Sequence, residues 1–116
     1  MEEQLRDFLI RAKRATYASG AAPQFSCRPG SHDLHYEEKP FLYIDTYQGG
    51  FHFIGEEVVW KNGVNVWGMN YYGKMLVDSI PAGFGDFLKK ALLAVPKEIP
   101  FRGPETYSEG DFLYKC

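Results

Sequence analysis

Two consecutive glutamates, Glu56 and Glu57, are the residues best suited to acid–base chemistry. They lie in a run rich in apolar residues that predicts a β-strand. Neighbouring residues of a strand point to opposite faces of the sheet, so one of the two carboxylates enters an apolar face in either register. A carboxylate there needs a hydrogen bond, a cationic partner or a catalytic role. The pair therefore predicts either a structural ion pair, with Arg28 or Arg102 as the partner, or a functional carboxylate.

Other polar residues lie among aromatic strand residues. His35 and Asp45 are candidates to assist these glutamates in general acid–base catalysis, although Asp45 also fits a strand residue that meets a tyrosine hydroxyl. We predict no metal site, because His32 and His35 alone supply too few ligands. We predict no cofactor, because the chain has no phosphate-binding glycine loop, and it has no GxSxG nucleophile motif.

The elements that would position these residues follow from hydrophobic periodicity. Helical spacing over residues 3–17 and 82–95 predicts two amphipathic helices, the second stopped by Pro96. The stretch 18–32, rich in Gly, Pro and Ser, predicts a long loop. Period-two patterns predict strands over 34–38, 41–47, 51–60 and 64–72, with a further edge strand over 111–114. We therefore predict a single α+β domain over 1–116: an N-terminal helix, an antiparallel meander of three to five strands, a second helix packing on the sheet, and an irregular C-terminal tail.

The dipeptide Asn62-Gly63 predicts a tight hairpin between the third and fourth strands, because both turn residues must adopt positive φ. In regular register this turn places Trp60 opposite Asn65 and Glu56 opposite Met69, with a bulge at Gly55 as the main alternative. Both faces of the hairpin are then apolar, so the face away from the core is covered or forms an aromatic-lined concavity. For such a pocket, the ligand-binding candidates are Arg28, Tyr43, Trp67, Asn70 and Tyr71.

Bulk properties restrict the class of protein. Aromatic residues make up 16% of the chain, enough to build a core and line a pocket. The net charge of −2 gives no general attraction to nucleic acid or to an anionic membrane, so we expect no direct nucleic-acid binding and no membrane association. We expect no signal peptide before the first helix, and two cysteines make no disulfide framework. We expect a cytoplasmic protein.

Several longer motifs resemble a known family. They are Arg28-Pro29-Gly30-Ser31-His32-Asp33-Leu34-His35-Tyr36, Phe41-Leu42-Tyr43-Ile44-Asp45-Thr46-Tyr47, Gly55-Glu56-Glu57-Val58-Val59-Trp60 and Trp67-Gly68-Met69-Asn70-Tyr71-Tyr72-Gly73. The chain resembles a bacterial family, domain of unknown function 5680, whose members occur alone or behind helix-turn-helix regulators of the XRE type. The resemblance implies no particular activity and no catalytic residues.

Three functions remain open on the sequence. The first is a binding or sensing module for a small molecule or peptide, which the apolar hairpin and the resemblance to regulator-linked domains favour. The second is a small enzyme, a hydrolase or transferase, using Glu56 or Glu57 with His35 and Asp45. The third is a homodimeric structural or interaction domain that pairs two copies through the second apolar face.

Overall fold

A computed structural model describes residues 1–20 and 26–116. Residues 21–25, part of the predicted loop over 18–32, lie outside the described residues. The elements confirm the α+β class, and in chain order they are α1 (Glu3–Ala15), a 3-10 helix (Tyr17–Ser19), β1 (Ser31–Glu38), β2 (Phe41–Gly49), β3 (His52–Lys61), β4 (Val64–Lys74), α2 (Phe84–Leu93), β5 (Thr106–Glu109) and β6 (Phe112–Lys115). They group into two compact units, one from residues 1–20 and 80–116 and the other from residues 26–79.

The unit formed by residues 26–79 is a four-stranded antiparallel meander in the order β1-β2-β3-β4. The turn between β1 and β2 contains a cis peptide bond between Lys39 and Pro40. The turn between β3 and β4 has φ of 51° at Asn62 and 79° at Gly63, as a two-residue hairpin requires. The predicted turn, with Lys61 opposite Val64, is thereby confirmed.

The predicted register beyond this turn is wrong. Trp60 lies opposite Asn65, as predicted, but Val59 lies opposite Trp67, so Val66 is an extra residue in β4. A β-bulge of this kind shifts every later pair by one position. Glu57, not Glu56, therefore lies opposite Met69. The bulge comes directly after the turn and not at Gly55, the position given as the alternative to regular register.

The shifted register gives the sheet one buried face and one open face. The buried face carries alternate residues that are almost inaccessible in β1, β2 and β3, namely Leu34, Phe41, Tyr43, Asp45, Glu57 and Val59. The residues between them form the open face, and they are half-exposed or exposed: Leu42, Ile44, Thr46, Ile54, Glu56, Val58, Trp60, Asn70 and Tyr72. Trp60 and Trp67, predicted to share a face, lie on opposite faces.

The unit formed by residues 1–20 and 80–116 combines the two helices with a C-terminal hairpin. Helix α1 buries Phe8, Leu9 and Ala12, in agreement with the predicted apolar stripe. Helix α2 contributes Phe87, whose ring stacks on that of Phe112 with centroids 5.1 Å apart. None of the described helices is both long and apolar enough to cross a membrane.

The C-terminal tail is more regular than the prediction of an irregular tail with one edge strand. Strands β5 and β6 pair with each other in a separate two-stranded sheet. Their turn is made possible by Gly110, which has φ of 58°. Tyr107 of β5 and Phe112 of β6 both lie against Phe87, with ring centroids 5.7 and 5.1 Å away. The hairpin is therefore held by aromatic packing on α2.

Candidate functional site

Two carboxylates face each other on the buried face of the sheet. Asp45 of β2 and Glu57 of β3 are directly opposed in the strand ladder, and only 6% and 5% of their surfaces are exposed. Directly opposed side chains have Cβ atoms about 5 Å apart, and like charges there repel each other. The sequence prediction that one glutamate of the pair is buried among apolar residues is met by Glu57, while Glu56 is exposed.

Each of these carboxylates accepts a hydrogen bond from a tyrosine. The Tyr43 hydroxyl donates to Glu57 Oε1, and the Tyr71 hydroxyl donates to Asp45 Oδ1 at 2.7 Å. Burial, followed by the nearby Glu57 and Asp45 carboxylates, raises the pKa of Tyr43 well above its usual value of 10.0. Tyr43 therefore stays protonated and acts as a donor. Hydrogen bonds of this kind are how buried polar groups are normally satisfied.

Gly55 makes room for the Tyr71 ring. Gly55 lies opposite Tyr71 in the ladder, and a Cβ atom at this position would be 2.3 Å from Tyr71 Cζ. The phenol therefore lies over the glycine, a placement that any larger residue would block. This explains why a glycine interrupts an otherwise bulky strand.

The open face carries an apolar cleft at the end of the sheet near the two turns. The cleft is open to solvent, has a volume of about 750 Å³, and is lined by Glu37, Lys39, Pro40, Phe41, Leu42, Ile44, Trp60, Asn62 and Gly63. Leu42 and Trp60 are directly opposed on β2 and β3, and Ile44 lies one row further along the same face. Glu37 and Lys39 add one charge of each sign to a mainly apolar surface.

A second, polar cleft of about 300 Å³ lies further along the open face. Its lining includes Arg28, Thr46, Gln48, Glu56 and Asn70. Glu56 and Asn70 are directly opposed on β3 and β4. Neither Arg28 nor Glu56 makes a side-chain hydrogen bond or ion pair with the described residues. Thr46 of this polar cleft and Ile44 of the apolar cleft are two residues apart on one face of β2, about 7 Å along the strand.

The structure divides the residues predicted from the sequence between the two faces. Of the catalytic candidates, Asp45 and Glu57 lie together on the buried face, while Glu56 and His35 are exposed on the open face. The Nε2 atom of His35 lies 3.9 Å from Asp33 Oδ2, on the outermost strand β1. The four candidates therefore do not form one acid–base constellation.

The ligand-binding candidates are divided in the same way. Tyr43, Trp67 and Tyr71 belong to the buried face, whereas Arg28 and Asn70 line the polar cleft. The sequence interpretation missed the lining of the apolar cleft, namely Leu42, Ile44 and Trp60. A bulge placed at Val66 would have moved Trp60 away from Trp67, but nothing in the local sequence marks that position.

Within the described residues, no group of three or more His, Cys, Asp or Glu side chains is arranged to hold a metal ion. The features that remain are the two clefts and the hydrogen-bonded carboxylate pair. Both clefts lie on the open face of the meander, and the carboxylate pair lies on its buried face.

The family model described as "Domain of unknown function (DUF5680)" matches residues 45–116, and the chain belongs to that family. The match includes β3, β4 and about half of β2, and thus Glu56, Trp60 and Asn70. Arg28 and β1 lie outside the matched residues. The search of curated proteins and the search of solved structures each found no match.

Proposed function

We propose that the chain is a binding module that holds a small molecule or a peptide on the open face of the sheet. The observation that carries this proposal is the composition of that face. A sheet with one buried face normally presents polar residues on the other. Here the second face instead exposes Leu42, Ile44, Val58 and Trp60, and a cleft of about 750 Å³ is formed there.

The apolar cleft has the properties expected of the main contact area. Ligand pockets commonly measure about 300–1,000 Å³ and combine apolar walls with a few polar groups. The Trp60 indole offers a broad flat surface with one hydrogen-bond donor, and Leu42 and Ile44 extend that surface. An aromatic or branched aliphatic group of the ligand would displace water from this surface, at about 25 cal/mol per Å² of apolar area buried.

The polar cleft supplies orientation. The Arg28 guanidinium is suited to a carboxylate or phosphate, and the Glu56 carboxylate is suited to an amine or a hydroxyl. Because neither side chain is paired with a described residue, a ligand would not have to break an existing ion pair to bind. A ligand with an apolar body and a polar end about 7 Å or more away would contact both clefts. Peptides and many small metabolites have this form.

The setting proposed for this binding is the cytoplasm. Cys27 and Cys116 are both free thiols and both exposed, which fits a reducing compartment. A sensing role is also what the resemblance to domains linked with helix-turn-helix regulators implies. In that role, occupancy of the open face would be the signal.

The test is a thermal-shift screen of metabolites and short peptides on the full chain, followed by mutation of the apolar cleft. A ligand at 100 times its Kd adds about 2.7 kcal/mol of stability, a rise of roughly 10 °C in Tm for a domain of this size. The variant Trp60→Ala should lose this rise. Phe51→Ala is the matched control, because Phe51 is an exposed aromatic residue outside both clefts and should keep the rise. A screen without any stabilising compound class, or equal losses in both variants, would contradict the proposal.

The carboxylate pair favours a second candidate function, a small hydrolase or transferase. Asp45 and Glu57 are opposed in the ladder, and each accepts a hydrogen bond from a tyrosine hydroxyl, so two carboxylates suited to general acid–base chemistry lie side by side. The discriminating experiment is a screen of hydrolase and transferase substrates with the wild type and with Glu57→Gln. Turnover that Glu57→Gln abolishes while the fold is retained would favour the enzyme. Turnover that persists in this variant, or none at all, would count against it.

A further inference from the structure

The two outer strands of the sheet differ in how their edges are protected. Strands β1 and β4 are the edges, and no other described strand pairs with either. Natural sheets protect such edges with charged residues, which discourage pairing with another chain. Five of the eight residues of β1, from His32 to Glu38, are His, Asp or Glu. Strand β4 has no charged residue from Val64 to Gly73, and its first charge is Lys74 at the end.

The exposed apolar residues of this unit are concentrated on the unprotected edge strand and the segment that follows it. Val64, Val66 and Tyr72 of β4 are 66%, 43% and 68% exposed. Leu76 and Val77, directly after the strand, are 86% and 47% exposed. A long, uncharged edge with exposed apolar side chains is a surface on which another strand pairs readily. The edge of β4 is therefore the less protected of the two edges.

We propose that the edge of β4 pairs with β4 of a second copy of this chain, in antiparallel orientation, to form a dimer with a continuous sheet. A strand that pairs with its own copy about a twofold axis forms a self-complementary interface, the commonest type in homo-oligomers. The absence of charge from Val64 to Gly73 suits this occupant, because two copies then bring no like charges together along the strand.

The length of the edge is sufficient for a stable pair. The bulge at Val66 lies near the turn, which leaves Trp67–Lys74 in regular pairing with β3. Antiparallel strands form about one hydrogen bond per residue pair, so eight residues on each copy give about eight bonds. A typical protein–protein interface has about ten direct hydrogen bonds. Side chains such as Tyr72 would be covered at the same time.

The proposal is tested by sedimentation equilibrium of the full chain over about a hundredfold range of concentration. The wild type should reach the mass of two 13.3 kDa chains. The variant Tyr72→Lys places a charge on the edge and should weaken dimerisation at least tenfold. The matched control is His35→Lys, which places the same charge on β1, where the side chain is also exposed. It should leave the dimer unchanged.

Three outcomes would overturn the proposal. These are a wild type with the mass of one chain at the highest concentration, a dimer that survives Tyr72→Lys, and a dimer that is lost in His35→Lys. Val66→Lys provides a second charge on the same edge, at the exposed bulge position, in case Tyr72→Lys does not fold. It should also weaken dimerisation. If the wild type is monomeric, the remaining candidate partner for this edge is a peptide from another protein.

Discussion

Replacing Tyr43 with phenylalanine should destabilise the protein by about 2 kcal/mol. The ring is retained, so the packing of this side chain, which is 1% exposed, is unchanged. The substitution removes the hydroxyl that donates a hydrogen bond to Glu57 Oε1. Glu57 is only 5% exposed. A hydrogen bond to a charged group contributes about 1.5–3 kcal/mol, and a buried acceptor that loses its donor cannot turn to water instead. The expected loss follows from these two facts.

The assay is urea unfolding at neutral pH, with the free energy of unfolding extrapolated to water. Tyr72→Phe is the control, because Tyr72 is 68% exposed and its hydroxyl makes no hydrogen bond within the described residues. Its effect should stay within about 0.5 kcal/mol. Equal, small effects of the two substitutions would refute the hydrogen bond between Tyr43 and Glu57. A double-mutant cycle with Glu57→Gln isolates the energy of the pair.

Two further predictions concern high pH and the glycines of the sheet. Burial, and then the neighbouring carboxylates, raise the pKa of Tyr43 well above 10.0, so the folded state keeps a proton that the unfolded chain loses. Stability should fall as pH rises through and above 10.0, by up to about 1.4 kcal/mol per pH unit from this group, and urea unfolding of Tyr43→Phe should show a shallower fall. Gly55→Ala should cost about 1–3 kcal/mol, because its Cβ would meet Tyr71 Cζ at 2.3 Å. Gly68→Ala is the control, because a Cβ atom at Gly68 would have its nearest neighbour 3.8 Å away, and it should change the free energy of unfolding by less than about 0.5 kcal/mol. A similar loss of stability in the two variants would contradict the close approach of Tyr71 to Gly55.

The elements that depend on local signals were predictable from the sequence. The apolar spacing of α1 and the Asn62-Gly63 turn are each encoded within a few residues, and the structure confirms both. The C-terminal hairpin was missed in part because its stability depends on contacts with Phe87, which is far away in the sequence. The class of fold therefore follows from local patterns, while the hairpin follows from tertiary packing.

The candidate site was less predictable because it depends on one bulge. Strand side chains alternate between faces, so a single extra residue at Val66 exchanges the faces of all later residues relative to β3. The predicted burial of one glutamate did not depend on the register, and Glu57 fulfils it. The predicted grouping of Trp60 with Trp67 did depend on the register, and it is wrong.

The most direct test of binding on the open face uses the two indole N–H resonances as reporters, one on each face of the sheet. Trp60 lines the apolar cleft on the open face, and Trp67 lies on the buried face. When a stabilising ligand is titrated into the labelled chain, the Trp60 indole resonance should shift to saturation while that of Trp67 stays nearly unchanged. A shift of the Trp67 resonance with an unmoved Trp60 resonance would contradict binding on the open face.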